Sequence, residues 1–431
     1  MPALAQQLPQ QVRFSSTANP VGSGARAVGM GGAFIAVADD ATAASWNPAG
    51  LCWLRRPEFS IAFSHTRRRE DFSSRSHPET GGMQKESLAE INYMSFVLPF
   101  RLWEHNMVVS LNYQRLYEFD RDIDIDFDTW SRNPYTLELT RYDQRIAHRQ
   151  QGGLKALSPA YAVRLTPNLS LGITFNIWTD KLFWSNGWET DTRTQGQIIG
   201  EGRAPIRYRT TDSERYSGFT GFNLHLGALW KMNRYITVGA VVKTPFRAKM
   251  DQERVFATTM LFPNMGSTRS VERLDEDADL EMPLSCGIGM AVRLSDRLTF
   301  SLDVYKTEWS HYVIESEDGR RMSPVTGRST RDSHVRPTTQ VRLGGEYLFV
   351  FPRVIVPLRL GVFYDPEPSE TNPEDYWGLS VGTGISFVNM AVDAAYQFRA
   401  GDDVAGTATG IPASTADVVQ HQLMVSVIYY F

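Results

Sequence analysis

Ionisable side chains at alternate positions carry most of the chemistry this sequence can offer. Lys243, Arg293, Arg342, Arg359 and Arg399 share strand faces, by period-two alternation, with Asp303, Glu346, Asp365 and Asp393. A cation on such a face can hold a carboxylate through charge-assisted hydrogen bonds. Pairing with the neighbouring carboxylates, which stabilises a packed interior, is the expected state, so none of them is assigned as a carboxylate receptor. Asp120, Asp122, Asp124, Asp126 and Asp128 form a second alternating set opposite Ile123, Ile125 and Phe127. The stripe reads as the wet face of an extended strand, or as a surface for divalent cations; it lacks the glycine and terminal glutamate of a calcium loop. The eight histidines show no HxH or HExxH spacing, and Cys52 and Cys286 lie far apart with no CxxC, so no metal site, cofactor or disulfide is expected. No convincing Ser/His/acid grouping can be placed, which argues against an enzyme.

The elements that must position these residues follow from the same periodicity. From about Glu58 onward, stretches of roughly ten residues alternate apolar with small or polar side chains, the length a tilted strand needs to cross a bilayer. Leu423, Val425, Val427, Tyr429 and Phe431 alternate with Gln422, Met424, Ser426, Ile428 and Tyr430; Leu169, Leu171, Ile173, Phe175 and Ile177 alternate with Ser170, Gly172, Thr174, Asn176 and Trp178. Fourteen such segments are centred near residues 62, 94, 110, 160, 174, 224, 242, 288, 304, 344, 361, 382, 395 and 426. Their connections alternate in length. Arg101 to Asn106, Thr166 to Asn168, Lys231 to Arg234, Leu294 to Arg297 and Phe387 to Asn389 are short; Arg67 to Ser87, Glu118 to Gln150, Phe183 to Ser217, Met250 to Glu281, Glu315 to Pro337 and Gly401 to Val419 are long and polar.

That asymmetry points to an all-β fold, a 14-stranded antiparallel transmembrane β-barrel of the bacterial outer membrane, with the short turns and both chain termini periplasmic. Trp103, Trp230, Tyr429 and Phe431 are expected to form one aromatic girdle, and Tyr113, Trp178, Trp309 and Trp377 the other. No apolar run approaches the roughly 18 residues of a membrane-spanning helix, and the formal charge of −4 gives nucleic acid nothing to hold. Outer-membrane lipid and lipopolysaccharide are implied as surroundings, and the terminal Phe431 as the signal read by the barrel assembly machinery.

Two of the long links carry apolar side chains where the topology puts water: Phe183, Trp184 and Trp188 in one, Phe256, Met260, Leu261 and Phe262 in the other. Together they are candidates for a surface groove that captures a hydrophobic small molecule, or for a lid in which the loops pack on each other.

Before the first strand the character changes. Residues 1–5 contain Ala3-Leu4-Ala5, the small-x-small form of a signal-peptide cleavage site, and are expected to be a remnant of one. Residues 6–54 are rich in glycine and alanine and suit a compact plug, or hatch, in the lumen of a barrel formed by residues 55–431. Asp39 or Asp40 can cap a short helix, and Asn47 followed by Pro48 can cap and begin another turn. Asp39-Asp40-Ala41 and Asn47-Pro48-Ala49, with Asp303-Val-Tyr-Lys-Thr-Glu-Trp-Ser310, Leu358-Arg-Leu-Gly-Val-Phe-Tyr-Asp365 and Phe431, resemble the FadL/TodX type of outer-membrane transporters for long-chain fatty acids and aromatic hydrocarbons. The resemblance spans nearly the whole chain. It implies fourteen strands around an N-terminal hatch, capture of ligand at the cell surface and a passive path opened by hatch movement, with Asp39, Asp40, Asn47, Pro48 and Ala49 as parts of the gate. The stretch from Gly22 to Gly32 also resembles plug segments of barrels that assist protein secretion, so an accessory role in secretion or envelope assembly is the alternative.

Overall fold

The computed structural model describes residues 19, 22–132, 139–370, 372–404 and 414–431; the cleavage-site reading of residues 1–5 lies outside them. All strands belong to one sheet, and fourteen of them close it into an antiparallel barrel. These are β1 Glu58–Ser74, β2 Gly82–Leu102, β3 His105–Glu118, β4 Leu139–Arg164, β5 Leu169–Trp178, β6 Ile206–Lys231 and β7 Ile236–Lys243. The other half is β8 Ser285–Arg293, β9 Leu298–Thr307, β10 Thr338–Val350, β11 Ile355–Tyr364, β12 Trp377–Ser386, β13 Met390–Val404 and β14 Ser414–Tyr430. Each expected segment centre falls within one of them. The ring is sealed by β1 against β14, in register from Glu58↔Tyr430 to Ser74↔Ser414. Closure matters because an edge strand in hydrocarbon would leave amides with no partner, at several kcal/mol each.

Side-chain alternation sorts the wall into two faces. Phe59, Phe63, Leu171, Leu226, Leu302, Leu360 and Leu423 are exposed on the outer surface, while Ser60, Ser64, Ser170, His225, Ser301, Arg359 and Ser426 are buried on the inner one. Free Cys286 is exposed and free Cys52 is buried. At the first short turn Trp103 and Glu104 both take positive φ, 49° and 66°, the geometry of a two-residue hairpin whose twist matches its strands.

The other end departs from the sequence reading. The long polar links are largely strands. Between β3 and β4 lies Arg121–Arg132, between β5 and β6 Gly187–Gly200, and between β7 and β8 the hairpin Phe246–Phe262 and Gly266–Met282. They pair with the upper reaches of β4 and β6, carrying half of the wall beyond the bilayer band. Polarity does not mean irregularity here, because above the membrane the outer face of a strand meets water. There Asp122, Asp124 and Asp126 point outward, with Asp124 and Asp128 paired to Arg145 and Arg141, while Ile123, Ile125 and Phe127 pack inward on Phe72, Ile146 and Tyr376. The second girdle also needs correction. Trp377 is exposed, but Trp178 and Trp309 are buried in an interior aromatic cluster, Trp178 because it follows the outward-facing Ile177 by one position.

The assignment of faces can be tested in the outer wall. Leu302→Arg or Leu360→Arg should each cost about 2–4 kcal/mol of folding free energy in phospholipid vesicles, measured by equilibrium urea unfolding. A loss below about 1 kcal/mol at both sites would mean that these side chains do not face lipid.

Candidate functional site

Residues 22–54 run through the barrel interior in short pieces: helix α1 Ala25–Gly29, helix α2 Ala43–Trp46 and a 3-10 turn Pro48–Trp53. Small side chains let this segment approach the wall backbone. Gly172 of β5 and Gly227 of β6 pair directly, and Pro48 and Ala49 rest on both. A Cβ at Gly172 would lie 2.3 Å from the Pro48 carbonyl carbon, and one at Gly227 2.2 Å from Asn47 Oδ1. Across the lumen, a Cβ on Gly344 would meet the Met30 carbonyl oxygen at 2.2 Å, and one on Gly361 the Gly31 nitrogen at 2.1 Å.

Wall side chains then bind the segment's backbone from many sides. Asp303 Oδ2 of β9 accepts from the amides of Phe34 at 2.6 Å and Ile35 at 2.8 Å. Ser380 accepts from Gly31 N and donates to the Gly29 carbonyl, Ser426 accepts from Ala25 N, Thr174 donates to the Ala44 carbonyl, and Tyr93 donates to the Ala41 carbonyl. Arg342 Nη1 donates to the Gly31 carbonyl at 3.0 Å. These satisfy backbone groups that short helical turns leave orphaned.

The five candidate gate residues divide into two groups. Asn47 is buried; its Nδ2 donates to the carbonyls of Ile35 and, in the wall, Ala228, both at 3.0 Å, and its Oδ1 accepts from Ala49 N. It thus caps the turn begun by Pro48 and ties the segment to β6 at once. Asp40 Oδ1 accepts from the amide and hydroxyl of Thr42, fixing the approach to α2. Burial raises the Asp40 carboxyl above its usual range, and Arg26 opposes that shift. Asp39, more exposed, pairs with Arg26 at 2.6 Å. Arg26 reaches Glu346 at 3.0 Å, and Arg359 bridges Glu346 at 2.7 Å to Asp393 at 2.5 Å. Further up, Arg342 and Arg399 each lie 3.4 Å from Asp365. Arg342, Arg359 and Arg399 are therefore paired with Glu346, Asp365 and Asp393, as expected, whereas Asp303 is held by backbone amides, and the Arg26–Glu346 pair runs from segment to wall.

Sequence reasoning placed Asp303 on the inner face without recognising it as an anchor, and it passed over Ser380, Ser426, Thr174 and Tyr93. Inward polarity is the available signal; the partners lie 52 to 401 residues away.

Above the segment, toward the long-hairpin end, lies a cavity of about 110 Å³ bordered by Trp46, Arg68, Glu90, Arg115 and Met424. Beside it is the aromatic cluster, where Trp178 stacks on Phe246 at 5.5 Å and Trp188 on Tyr216 at 4.6 Å. The candidate capture residues are not brought together. Trp188 is part of this cluster and Trp184 packs edge-on against Tyr113 at 5.0 Å; Phe183 is 98% exposed. Phe256, Met260, Leu261 and Phe262 lie on a hairpin arm, not in a loop. Trp188 is level with Gln252 through the register of Tyr216, so the four residues sit roughly 13–33 Å farther out at about 3.3 Å per residue. Below the segment, a vestibule of about 800 Å³ opens between Trp53, Lys231, Arg234, Arg293 and Glu346. Among the described residues no group of acidic, histidine or cysteine side chains has the arrangement of a metal site.

A family model described as "Outer membrane protein transport protein (OMPP1/FadL/TodX)" matches residues 14–427. Among solved structures, a FadL homologue of Pseudomonas aeruginosa is 14% identical, with TM-score 0.61, over 95% of this chain and 98% of that one. The toluene transporter TodX of Pseudomonas putida is 14% identical, with TM-score 0.56, over 95% and 98%. The toluene transporter TbuX of Ralstonia pickettii is 13% identical, with TM-score 0.55, over 96% and 99%. No curated protein matches the sequence.

Removing the Asp303 anchor should loosen the segment without opening the barrel. In Asp303→Ala, amides of Phe34 and Ile35 lose their acceptor at a cost of about 1–3 kcal/mol. Hydrogen exchange at residues 33–36 should accelerate at least tenfold while exchange in β9 stays slow; unchanged protection at 33–36 would remove Asp303 from this role.

Proposed function

The chain belongs to the OMPP1/FadL/TodX family of outer-membrane transport proteins, and from that premise we propose that it conducts hydrophobic small molecules, long-chain fatty acids or aromatic hydrocarbons, passively through a hatch-gated barrel. The observation that carries this reading is the luminal segment itself. It crosses a closed barrel, is held by many individually modest hydrogen bonds to wall side chains, and has few bulky side chains to drag when it shifts. A net hydrogen bond contributes only about 0.5–1.5 kcal/mol, so a few can exchange at once in a local opening.

The short turns face the periplasm in this reading, and both termini with them. Cargo arrives from the hairpin end, meets exposed Phe183 and the apolar stretch Phe256 to Phe262, and moves down to the aromatic cluster around Trp178 and Trp188, which offers a greasy surface above the segment. Asn47, Pro48 and Ala49 act as the hinge side of the hatch, because Asn47 joins the segment's two halves and the wall. Asp39 and Asp40 act as its latch through Arg26 and Glu346. No catalytic step is assigned to any residue.

Asn47→Ala removes both Nδ2 bonds while leaving the outer wall untouched. Cells carrying it should assemble normal amounts of heat-modifiable barrel yet take up radiolabelled oleate or toluene several-fold more slowly than wild type. Wild-type uptake of both compounds by the variant would contradict the hinge role.

A further inference from the structure

Seen from the lipid, one part of the wall differs from the rest. On β1 the outward series runs Phe59, Ile61, Phe63 and then His65, Arg67 and Arg69. Its neighbours change character at the same height. On β14 the outward Tyr429, Val427, Val425 and Leu423 give way to His421, and on β2 Ile91 gives way to Ala89, Ser87 and Lys85. Register sets these side chains beside one another: Arg67 lies between Ser87 and His421, and Arg69 is directly opposite Lys85. Neighbouring strands are about 4.8 Å apart and alternate residues about 7 Å apart along a strand. The cationic groups therefore fit within a patch about 10 Å across, at the upper border of the apolar band.

The cations of this patch have few close carboxylates. Among the described residues neither Arg67 nor Lys85 forms an ion pair, and Arg69 has only Asp71, at 3.9 Å with both side chains about half exposed. Asp417 is opposite Asp71, one outward step farther from the membrane. At two other outward positions the cation has a close carboxylate: Lys306 has Glu308 at 2.8 Å, and Arg247 has Asp279 at 2.8 Å. Unpaired cations beside one another repel, and a cluster of them directly over a lipid-facing surface of Phe63, Ile91 and Leu423 fits one kind of partner, an amphiphile with phosphate on its head and acyl chains below.

We infer that the outer face of β1, β2 and β14 is a binding site for the phosphorylated glycolipid of the outer leaflet, with Arg67, Arg69 and Lys85 holding its phosphates and the Phe59 to Phe63 band receiving its chains. Guanidinium and ammonium groups donate charge-assisted hydrogen bonds to phosphate, and the low dielectric of the adjoining hydrocarbon limits screening. The choice of outer leaflet rests on the orientation given under Proposed function; the binding itself does not depend on transport. The site also lies on the seam where the first and last strands meet, so a bound lipid would brace the closure of the barrel.

Native mass spectrometry of the full-length protein, titrated with bisphosphorylated lipid A, tests this directly. Wild type should retain lipid A, and Arg67→Ser/Arg69→Ser/Lys85→Ser should bind it about a hundredfold more weakly, the product of a roughly fivefold loss per removed cation. Lys306→Ser, on a different part of the wall, should bind as wild type does, and heat-modifiable migration should show all three proteins folded. Retention of lipid A by the folded triple variant at wild-type affinity would overturn the site. Equal wild-type binding of dephosphorylated lipid A would overturn the phosphate contact, and equal binding of phosphatidylglycerol would overturn the outer-leaflet assignment. None of these results depends on hydrocarbon uptake, so failure of the transport reading is seen separately.

Discussion

Everything in this molecule follows from the obligation of a sheet in hydrocarbon to have no edge. The ladder between β1 and β14 meets it, joining residues 340 to 372 positions apart in one register. Once the sheet is closed, alternation has only two destinations, lipid outside and lumen inside. The apolar set goes out, and a polar inner surface is created that must be filled. An N-terminal segment of small residues fills it, and the pairing of Gly172 with Gly227 in the wall makes the shallow seat on which Pro48 and Ala49 rest.

The interior is polar and tightly matched, which is an unusual setting for a greasy cargo. Its charged groups neutralise one another, as in the series Asp39, Arg26, Glu346, Arg359 and Asp393. Breaking one member of such a buried set costs about 3–5 kcal/mol, whereas each backbone tether between segment and wall is weaker. The ion pairs within the wall therefore suit the fixed part of the structure, whereas the hydrogen bonds, together with the Arg26–Glu346 latch, belong to the part that yields. Hydrophobic contact is concentrated above, in the cluster of Trp178, Trp188, Phe219 and Trp309, so affinity for cargo and resistance to leakage are assigned to different layers.

Much of this was legible in the sequence, and the failures have physical causes. Period-two alternation marked every wall strand because both the membrane and the lumen enforce it. It also placed Arg342, Arg359, Arg399 and Asp303 inward, since parity is a local property. Long-range contacts are not local: nothing in Asp303 alone indicates the amides of Phe34 and Ile35, and nothing in Gly361 indicates the approach of Gly31. The extensions beyond the bilayer resemble loops in sequence because water on the outer face replaces apolar residues with Asp, Arg and Thr while hydrogen-bonded pairing continues. The same change of solvent misled the second aromatic girdle, where Trp178 and Trp309 belong to the interior.

The central claim is that the luminal segment must move for cargo to pass. Ala25 and Ser426 are joined by a 2.8 Å hydrogen bond between the Ala25 amide and the Ser426 hydroxyl, so cysteines at both positions, in a background lacking Cys52 and Cys286, can lock segment to wall. Uptake of a labelled hydrophobic compound should stop when the pair is oxidised and return on reduction. Full uptake through the oxidised protein, with the cross-link verified, would contradict the account.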